Sequence, residues 1–70
     1  MMPFNYSKLI GKIAEKYGTQ SKFAEALGLS ERSVSLKLNG KIAWKQPEII
    51  KACEILSIQY SEIPAYFFTL

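Results

Sequence analysis

The stretch from residue 19 to residue 41 constrains the fold of this chain more than any other: TQSKFAEALGLSERSVSLKLNGK. Apolar residues recur in it at helical spacing, in one group before Gly28 and in another after it. Such spacing is typical of amphipathic helices that bury one face. We therefore expect two short helices that pack against a common core. Their inward residues are Phe23, Ala24 and Leu27 in the first helix, and Val34 and Leu38 in the second.

Three residues, Gly28-Leu29-Ser30, separate the two helical patterns. Glycine ends helices because it adopts the positive φ that a Cβ resists. Thr19 and Ser30 are good N-caps, and Glu31 suits the positive end of the helix that Ser30 begins. The sequence therefore predicts a tight turn between a helix that starts after Thr19 and another that starts after Ser30.

Further helices are predicted on both sides of this pair. Residues 6–17 carry their apolar side chains on one arc and end at Gly18, and residues 47–56 form a second amphipathic pattern that begins at a proline. The sequence Ser61-Glu62-Ile63-Pro64 is typical of the start of a short helical turn. A chain of 70 residues forms one small domain. We expect residues 1–70 to be a single all-α domain, a compact bundle of about five short helices.

The C-terminal tail, residues 59–70, is rich in aromatic residues. Ile50 and Ile55 lie outside the inner stripe of the preceding helix, so that helix has more apolar surface than one neighbour can cover. The tail either folds back over Ile50 and Ile55 or forms the contact between two subunits, and both can hold at once. The possible dimer contacts are Ile55, Tyr66, Phe67 and Phe68.

The inventory of side chains argues against catalysis and metal binding. The chain has no His, no Asp and one cysteine, Cys53, whose setting is that of a packed helix position. We expect no enzyme activity, cofactor or metal. The N-terminus lacks the pattern of a signal peptide and no stretch is long and apolar enough to span a membrane, so a cytoplasmic protein without a membrane partner is expected.

The positive charge of the chain is unevenly distributed. The net charge is +3. Between residues 30 and 45, four basic side chains accompany a single acidic one, Glu31. This excess favours a polyanionic partner near the second helix of the pair. The four basic residues are Arg32, Lys37, Lys41 and Lys45.

Several residues at fixed offsets carry a resemblance to a known family. Gln20, Phe23-Ala24, the run Leu27 to Ser30, Val34 and Asn39-Gly40 resemble the pattern of the lambda-repressor-like (Cro and cI type) helix-turn-helix family. The order Lys37-Leu38 departs from that pattern, which usually has an apolar residue followed by Glu. Small prophage repressor-like proteins also look similar in length, in the SxxLNGK run and in the aromatic ending.

The resemblance implies a function in transcription. It implies a central helix-turn-helix over residues 19–40 whose second helix, residues 31–39, reads the major groove of double-stranded DNA. The chain would be a transcriptional regulator of phage or prophage type, with repression expected, and would bind a pseudo-palindromic operator as a homodimer, at least on DNA. No small-molecule substrate is implied.

The reading helix has five candidate base contacts. Arg32 can pair with the two acceptors of guanine, or else contact phosphate or a nearby Glu. Leu36 can pack on a thymine methyl, or is an ordinary surface leucine. Glu31 occupies a family base-contacting position, or simply favours the helix dipole. Ser33 and Lys37 would complete the groove contacts.

The candidate phosphate contacts flank that helix. Gln20 corresponds to a family position that bonds the DNA backbone. Ser30, Asn39, Lys41 and Lys45 join it, although each lysine alone could be a solvated surface residue. Trp44 is either a lid over the core or a stacking platform for bases.

One alternative function stays open. The same fold could serve as a protein-protein interaction module in which the C-terminal aromatic segment binds a larger partner. Salt distinguishes the two, because DNA affinity falls steeply as salt rises.

Overall fold

A computed structural model describes residues 4–70, and these residues form helices and no strands. The prediction of an all-α bundle of about five short helices is confirmed. A single turn of 3-10 helix, Tyr60–Glu62, comes directly before the last helix. The helices are α1 (Ser7–Tyr17), α2 (Gln20–Leu27), α3 (Glu31–Leu38), α4 (Gln46–Leu56) and α5 (Ile63–Phe67).

Local chemistry sets the bounds of α2 and α3 as the sequence predicts. Thr19 caps α2 by accepting a hydrogen bond at Oγ1 from the Lys22 N–H, at 3.2 Å. Ser30 caps α3 in the same way, accepting at Oγ from the Ser33 N–H at 3.1 Å. Between them, Gly28 has a φ of 84° and donates its N–H to Ala24 O. The turn therefore needs a glycine at position 28.

The core lies between all five helices and is filled by aliphatic and aromatic side chains. Cys53 is fully buried within it as a free thiol, so the packed-cysteine interpretation is confirmed. Burial raises the pKa of the Cys53 thiol, and the carboxylates of Glu54 and Glu62 raise it further. The largest completely buried side chains are Phe23, Phe67, Leu9, Ile13, Leu56, Val34 and Cys53.

The C-terminal tail folds back onto the bundle. Asn5 donates its N–H to Thr69 O at 2.6 Å, which ties the end of the chain to the start of α1. Tyr66 and Phe67 are 7% and 1% exposed and belong to the core of this single chain. Their assignment as dimer contacts was therefore wrong, because these side chains are already covered within one molecule. Phe68 stays exposed.

The tail covers the outer side of α4 only in part. Ile55 is half-buried against the core, whereas Ile50 remains 38% exposed. Trp44 packs edge-on against Phe67, with 5.4 Å between the ring centroids. The lid interpretation of Trp44 is thus confirmed. Within residues 4–70, no helix is long and apolar enough to cross a membrane.

Candidate nucleic-acid interface

One side of α3 is turned away from the core. Val34 and Leu38 are buried, as the sequence predicts, so residues about half a turn away from them point outward. Arg32 and Asn39 are exposed, while Leu36 is only half-buried instead of fully exposed. Helical spacing places Ser35 on this side too, although its position in the sequence predicted no contact for it. The outward residues are Arg32, Ser35, Leu36 and Asn39.

Serine hydroxyls and a carboxylate surround the N-terminus of α3. Ser30 donates from Oγ to Ser33 Oγ at 2.9 Å while it accepts from the Ser33 N–H. Both hydroxyls are thus engaged in capping, and Ser33 is half-buried. Glu31 is exposed in the first turn, where a negative charge stabilises the helix dipole. Any contact with DNA from Ser30 or Ser33 would have to share these hydroxyls with the cap.

Lys37 does not lie on the outward side of α3. Its side chain is buried, and its Nζ lies 2.9 Å from Glu48 Oε1. The same ammonium group donates to Ala43 O at 3.1 Å and lies 5.9 Å from the centroid of the Trp44 ring. The prediction that Lys37 contacts bases was therefore wrong, because its charge is turned inward and compensated there.

Glu48 is the partner that allows a lysine in this interior position. Burial tends to raise the pKa of its carboxyl group, but hydrogen bonds from the Lys45 N–H and from Lys37, together with both lysine charges, leave that pKa below its ordinary value. Glu48 is therefore ionised at neutral pH. Its Oε1 accepts from the Lys45 N–H at 2.8 Å, so one carboxylate caps α4 and neutralises Lys37.

A signal for this burial was present in the sequence. Lys37 stands where the family pattern has an apolar residue, and an apolar position on an amphipathic helix usually faces the core. The sequence did not reveal the partner, because Glu48 reads as an ordinary residue in the first turn of the next helix.

The loop after α3 presents the remaining basic side chains. Lys41 and Lys45 are exposed, and neither forms an ion pair within the part of the chain that the structure describes. The backbone of the loop is ordered by its contacts with α3, since the Lys41 N–H donates to Leu36 O at 2.8 Å. Asn39 donates from Nδ2 to Ser35 O at 2.8 Å, so its amide is partly used within the helix.

Gln20 lies on α2, outside the segment from α3 to Lys45 that carries the other candidate contacts. It is half-buried in the first turn of α2, and no hydrogen bond in the described range ties its side chain to α3. The structure thus brings the outward residues of α3 and the two loop lysines together along one continuous segment, and leaves Gln20 on the neighbouring helix.

A second exposed surface is apolar. It is a groove of about 290 Å³ between α4 and the end of the chain, called here the α4/α5 groove. Phe68 forms part of it and packs edge-on against Phe4, with 5.4 Å between the ring centroids. The groove is lined by Gln46, Ile49, Ile50, Ile63 and Phe68.

The chain belongs to a family described as a protein of unknown function (DUF739), whose match spans residues 2–70. A solved structure is similar over nearly the whole chain. It is the solution structure of the modulator of repression (MOR) of the temperate bacteriophage TP901-1 from Lactococcus lactis, which is 58% identical in sequence. The similarity covers 96% of this chain and 90% of the other, with a TM-score of 0.83. No curated protein sequence matches.

Proposed function

We propose that this chain is a regulatory protein of phage type that binds double-stranded DNA, with α2 and α3 acting as a helix-turn-helix and α3 entering the major groove. The observation that carries the proposal is the outward side of α3, where Arg32 lies in the first turn and the exposed Lys41 and Lys45 follow the last turn. The likeness to a phage modulator of repression supports a role in phage regulation.

The chemistry of this surface suits a duplex. A major groove admits an α-helix, and residues near the N-terminus of that helix reach base edges. Arg32 would pair with guanine there, and Leu36 would pack on a thymine methyl. Lys41 and Lys45 would meet phosphates beside the groove. The proposed site has no catalytic step, and a homodimer on a pseudo-palindromic operator would double the contacts.

Inward pairing of Lys37 reduces the charge available to DNA but does not remove it. Around α3 and its loop, Arg32, Lys41 and Lys45 still outnumber the exposed Glu31. Each lysine that meets a phosphate releases a counterion, so affinity should fall as salt rises, with a slope of about −0.9 per contact on logarithmic axes.

The test is selection from a randomised duplex pool, followed by titration of the selected duplex between 0.05 and 0.3 M salt. We expect enrichment of a two-fold related sequence and a slope of roughly −3 or steeper. Lys41→Ala/Lys45→Ala should reduce the slope by about 1.8 for each protomer bound. Lys12→Ala/Lys16→Ala on α1 is the matched control for charge and should reduce it less. Absence of both enrichment and salt dependence for the unaltered chain would refute DNA binding.

A second candidate function is protein binding at the α4/α5 groove. In the groove, Ile50 and Phe68 are 38% and 49% exposed. A contiguous exposed apolar patch is typical of a protein-binding site. For a modulator of repression, the natural partner is a repressor protein. We propose that binding of such a repressor would survive 1 M salt, because apolar burial does not depend on counterions. Calorimetric titration of the repressor at 0.1 and 1 M salt tests this, and loss of binding at 1 M would contradict it.

A further inference from the structure

The ion pair between Lys37 and Glu48 connects the end of α3 to the start of α4. Residues 39–45, called here the α3–α4 loop, lie between these helices and carry both exposed lysines of the candidate interface. The pair is distinct from the other ion pair that the structure gives in residues 4–70, Lys12–Glu15 on α1. That one spans 3.6 Å, and its side chains are 24% and 68% exposed, whereas the Lys37 and Glu48 side chains are only 6% and 16% exposed.

Polar contacts of the pair hold the second half of the α3–α4 loop. The Lys37 ammonium donates to Ala43 O, and the Glu48 carboxylate accepts from the Lys45 N–H. The first half is held to α3 itself, through the Lys41 N–H and Leu36 O. The backbone at Lys41 and the backbone at Lys45 are thus both fixed relative to α3, at distances between 2.8 and 3.1 Å.

Stability alone does not explain why a buried ion pair, and not a pair of apolar side chains, occupies this site. Removing an ammonium and a carboxylate from water is unfavourable, and apolar side chains of similar volume often stabilise a protein as well or better. An apolar pair would not bond the Ala43 carbonyl or the Lys45 amide. The feature that the ion pair adds is therefore directional: it sets where the α3–α4 loop lies relative to α3.

We propose that Lys37 and Glu48 are positioning residues for DNA binding, which hold the α3–α4 loop so that Lys41 and Lys45 meet phosphates while α3 occupies the groove. This inference rests on the proposed DNA-binding function. A loop that is already ordered loses less conformational freedom on binding, so its contacts contribute more to affinity. Lys37 touches no DNA in this proposal and acts only through the loop.

The test compares two double variants that leave the net charge unchanged. Lys37→Met/Glu48→Gln removes the buried pair, while Met keeps most of the aliphatic volume and Gln keeps an acceptor for the Lys45 N–H. Lys12→Met/Glu15→Gln removes the more exposed pair on α1 by the same substitutions. Thermal unfolding of each variant gives the temperature range in which the chain is at least 95% folded, and DNA binding is measured within that range.

We expect the slope of log affinity against log salt to become shallower by about 0.9 to 1.8 for each protomer bound in Lys37→Met/Glu48→Gln, as one or both loop phosphate contacts are lost. Taken from equal affinities at 1 M salt, that corresponds to a loss of roughly 8-fold to 60-fold per protomer at 0.1 M salt. The α1 control should keep the slope of the unaltered chain. Lys37→Arg, which retains the charge and can still reach Glu48, should restore most of the slope. A purely structural pair would lower stability without changing the slope.

Hydrogen exchange of the free protein gives a readout that needs no DNA. In Lys37→Met/Glu48→Gln we expect amides of the α3–α4 loop to exchange about tenfold faster or more, while amides of α1 keep their rates. If the buried-pair variant does not fold, Lys37→Leu/Glu48→Gln, which also leaves the net charge unchanged, serves for both measurements, with the same direction of change.

The two proposals fail in different ways. If the unaltered chain binds no duplex at low salt, DNA binding itself is refuted, and the positioning role with it. If the unaltered chain binds with a steep slope and Lys37→Met/Glu48→Gln keeps that slope, only the positioning role is refuted. Unchanged exchange rates in the loop would also refute it.

Discussion

The outward side of α3 and the α4/α5 groove are two exposed surfaces of one small core, and they are built differently. The α3 side presents Arg32, Asn39 and the loop lysines, above a buried ion pair. The α4/α5 groove presents Ile50 and Phe68 and is almost entirely apolar. A partner at α3 would be held by charge and hydrogen bonds, and a partner at the groove by burial of apolar area. Each surface can therefore be altered without the other.

The sharpest division between core and groove lies between two consecutive residues. Phe67 is 1% exposed and Phe68 is 49% exposed. We predict that Phe67→Ala lowers the free energy of unfolding by about 3 to 5 kcal/mol, the range for a buried aromatic ring replaced by Ala. Phe68→Ala should lower it by less than about 1 kcal/mol. Urea unfolding followed by circular dichroism measures both. Equal losses would show that the tail packs differently.

The buried pair beneath α3 should contribute far more to stability than the pair on α1. Glu48→Ala leaves the Lys37 ammonium buried without its counter-charge, so we expect a loss of about 3 kcal/mol in the free energy of unfolding. Glu15→Ala is the matched control on α1 and should change it by less than about 1 kcal/mol. Both substitutions place Ala in a helix, and the difference in urea midpoint is the measurement. Similar midpoints for the two variants would contradict the burial of Lys37.

Much of the fold could be predicted because its determinants are local. Thr19, Gly28 and Ser30 act within one turn of their own positions, so both ends of α2 and the start of α3 follow from capping chemistry. The rotation of α3 depends on tertiary structure instead. Lys37 reads as a basic residue on a DNA-facing helix until Glu48, in the next helix, is placed beside it.

The tail illustrates the same limit for apolar residues. Tyr66, Phe67 and Phe68 are consecutive aromatic residues, and no periodic pattern in so short a segment distinguishes inward from outward. Only docking of α5 against α1 and α4 decides that the first two are buried. Candidate contacts at chain ends are therefore harder to assign than those on a long amphipathic helix.

Substitutions at Arg32 and Lys41 distinguish base reading from phosphate binding at the proposed DNA surface. We predict that Arg32→Ala weakens binding to the selected duplex by about 1 to 3 kcal/mol and relaxes the preference at one base pair. Lys41→Ala should weaken all duplexes alike, because phosphates carry no sequence information. Titration of selected and random duplexes at one salt concentration measures both. Equal losses for Arg32→Ala on the two duplexes would rule out base reading.

At acid pH, protonation of Glu48 should remove the stability that its pairing with Lys37 gives to the folded chain. The pKa of this carboxyl is lowered in the folded chain, so its stabilising effect is fully present above the ordinary Glu pKa of about 4.3 and is lost as pH falls through the folded value. Between pH 5 and 7, Glu48→Gln should be less stable than the unaltered chain by a constant amount, about 2 kcal/mol, because Gln keeps an acceptor for the Lys45 N–H but removes the counter-charge of Lys37. Below pH 4 the gap should narrow, because a protonated Glu48 resembles Gln. Urea midpoints from pH 3 to 7 measure this gap, and a gap that persists at pH 3 would contradict the pairing.

The smallest expected effects distinguish the α4/α5 groove from an ordinary apolar surface. Ile50 in the groove and Ile10 on α1 are 38% and 40% exposed, so Ile50→Ser and Ile10→Ser remove similar apolar areas. Each should lower stability by no more than about 1 kcal/mol and leave DNA affinity within twofold, since neither lies on α3. If the groove binds a repressor protein, Ile50→Ser alone should weaken that complex, measured by calorimetric titration. Equal weakening by Ile10→Ser would place the contact elsewhere, and a change in the DNA salt slope with Ile50→Ser would show that the two surfaces are coupled.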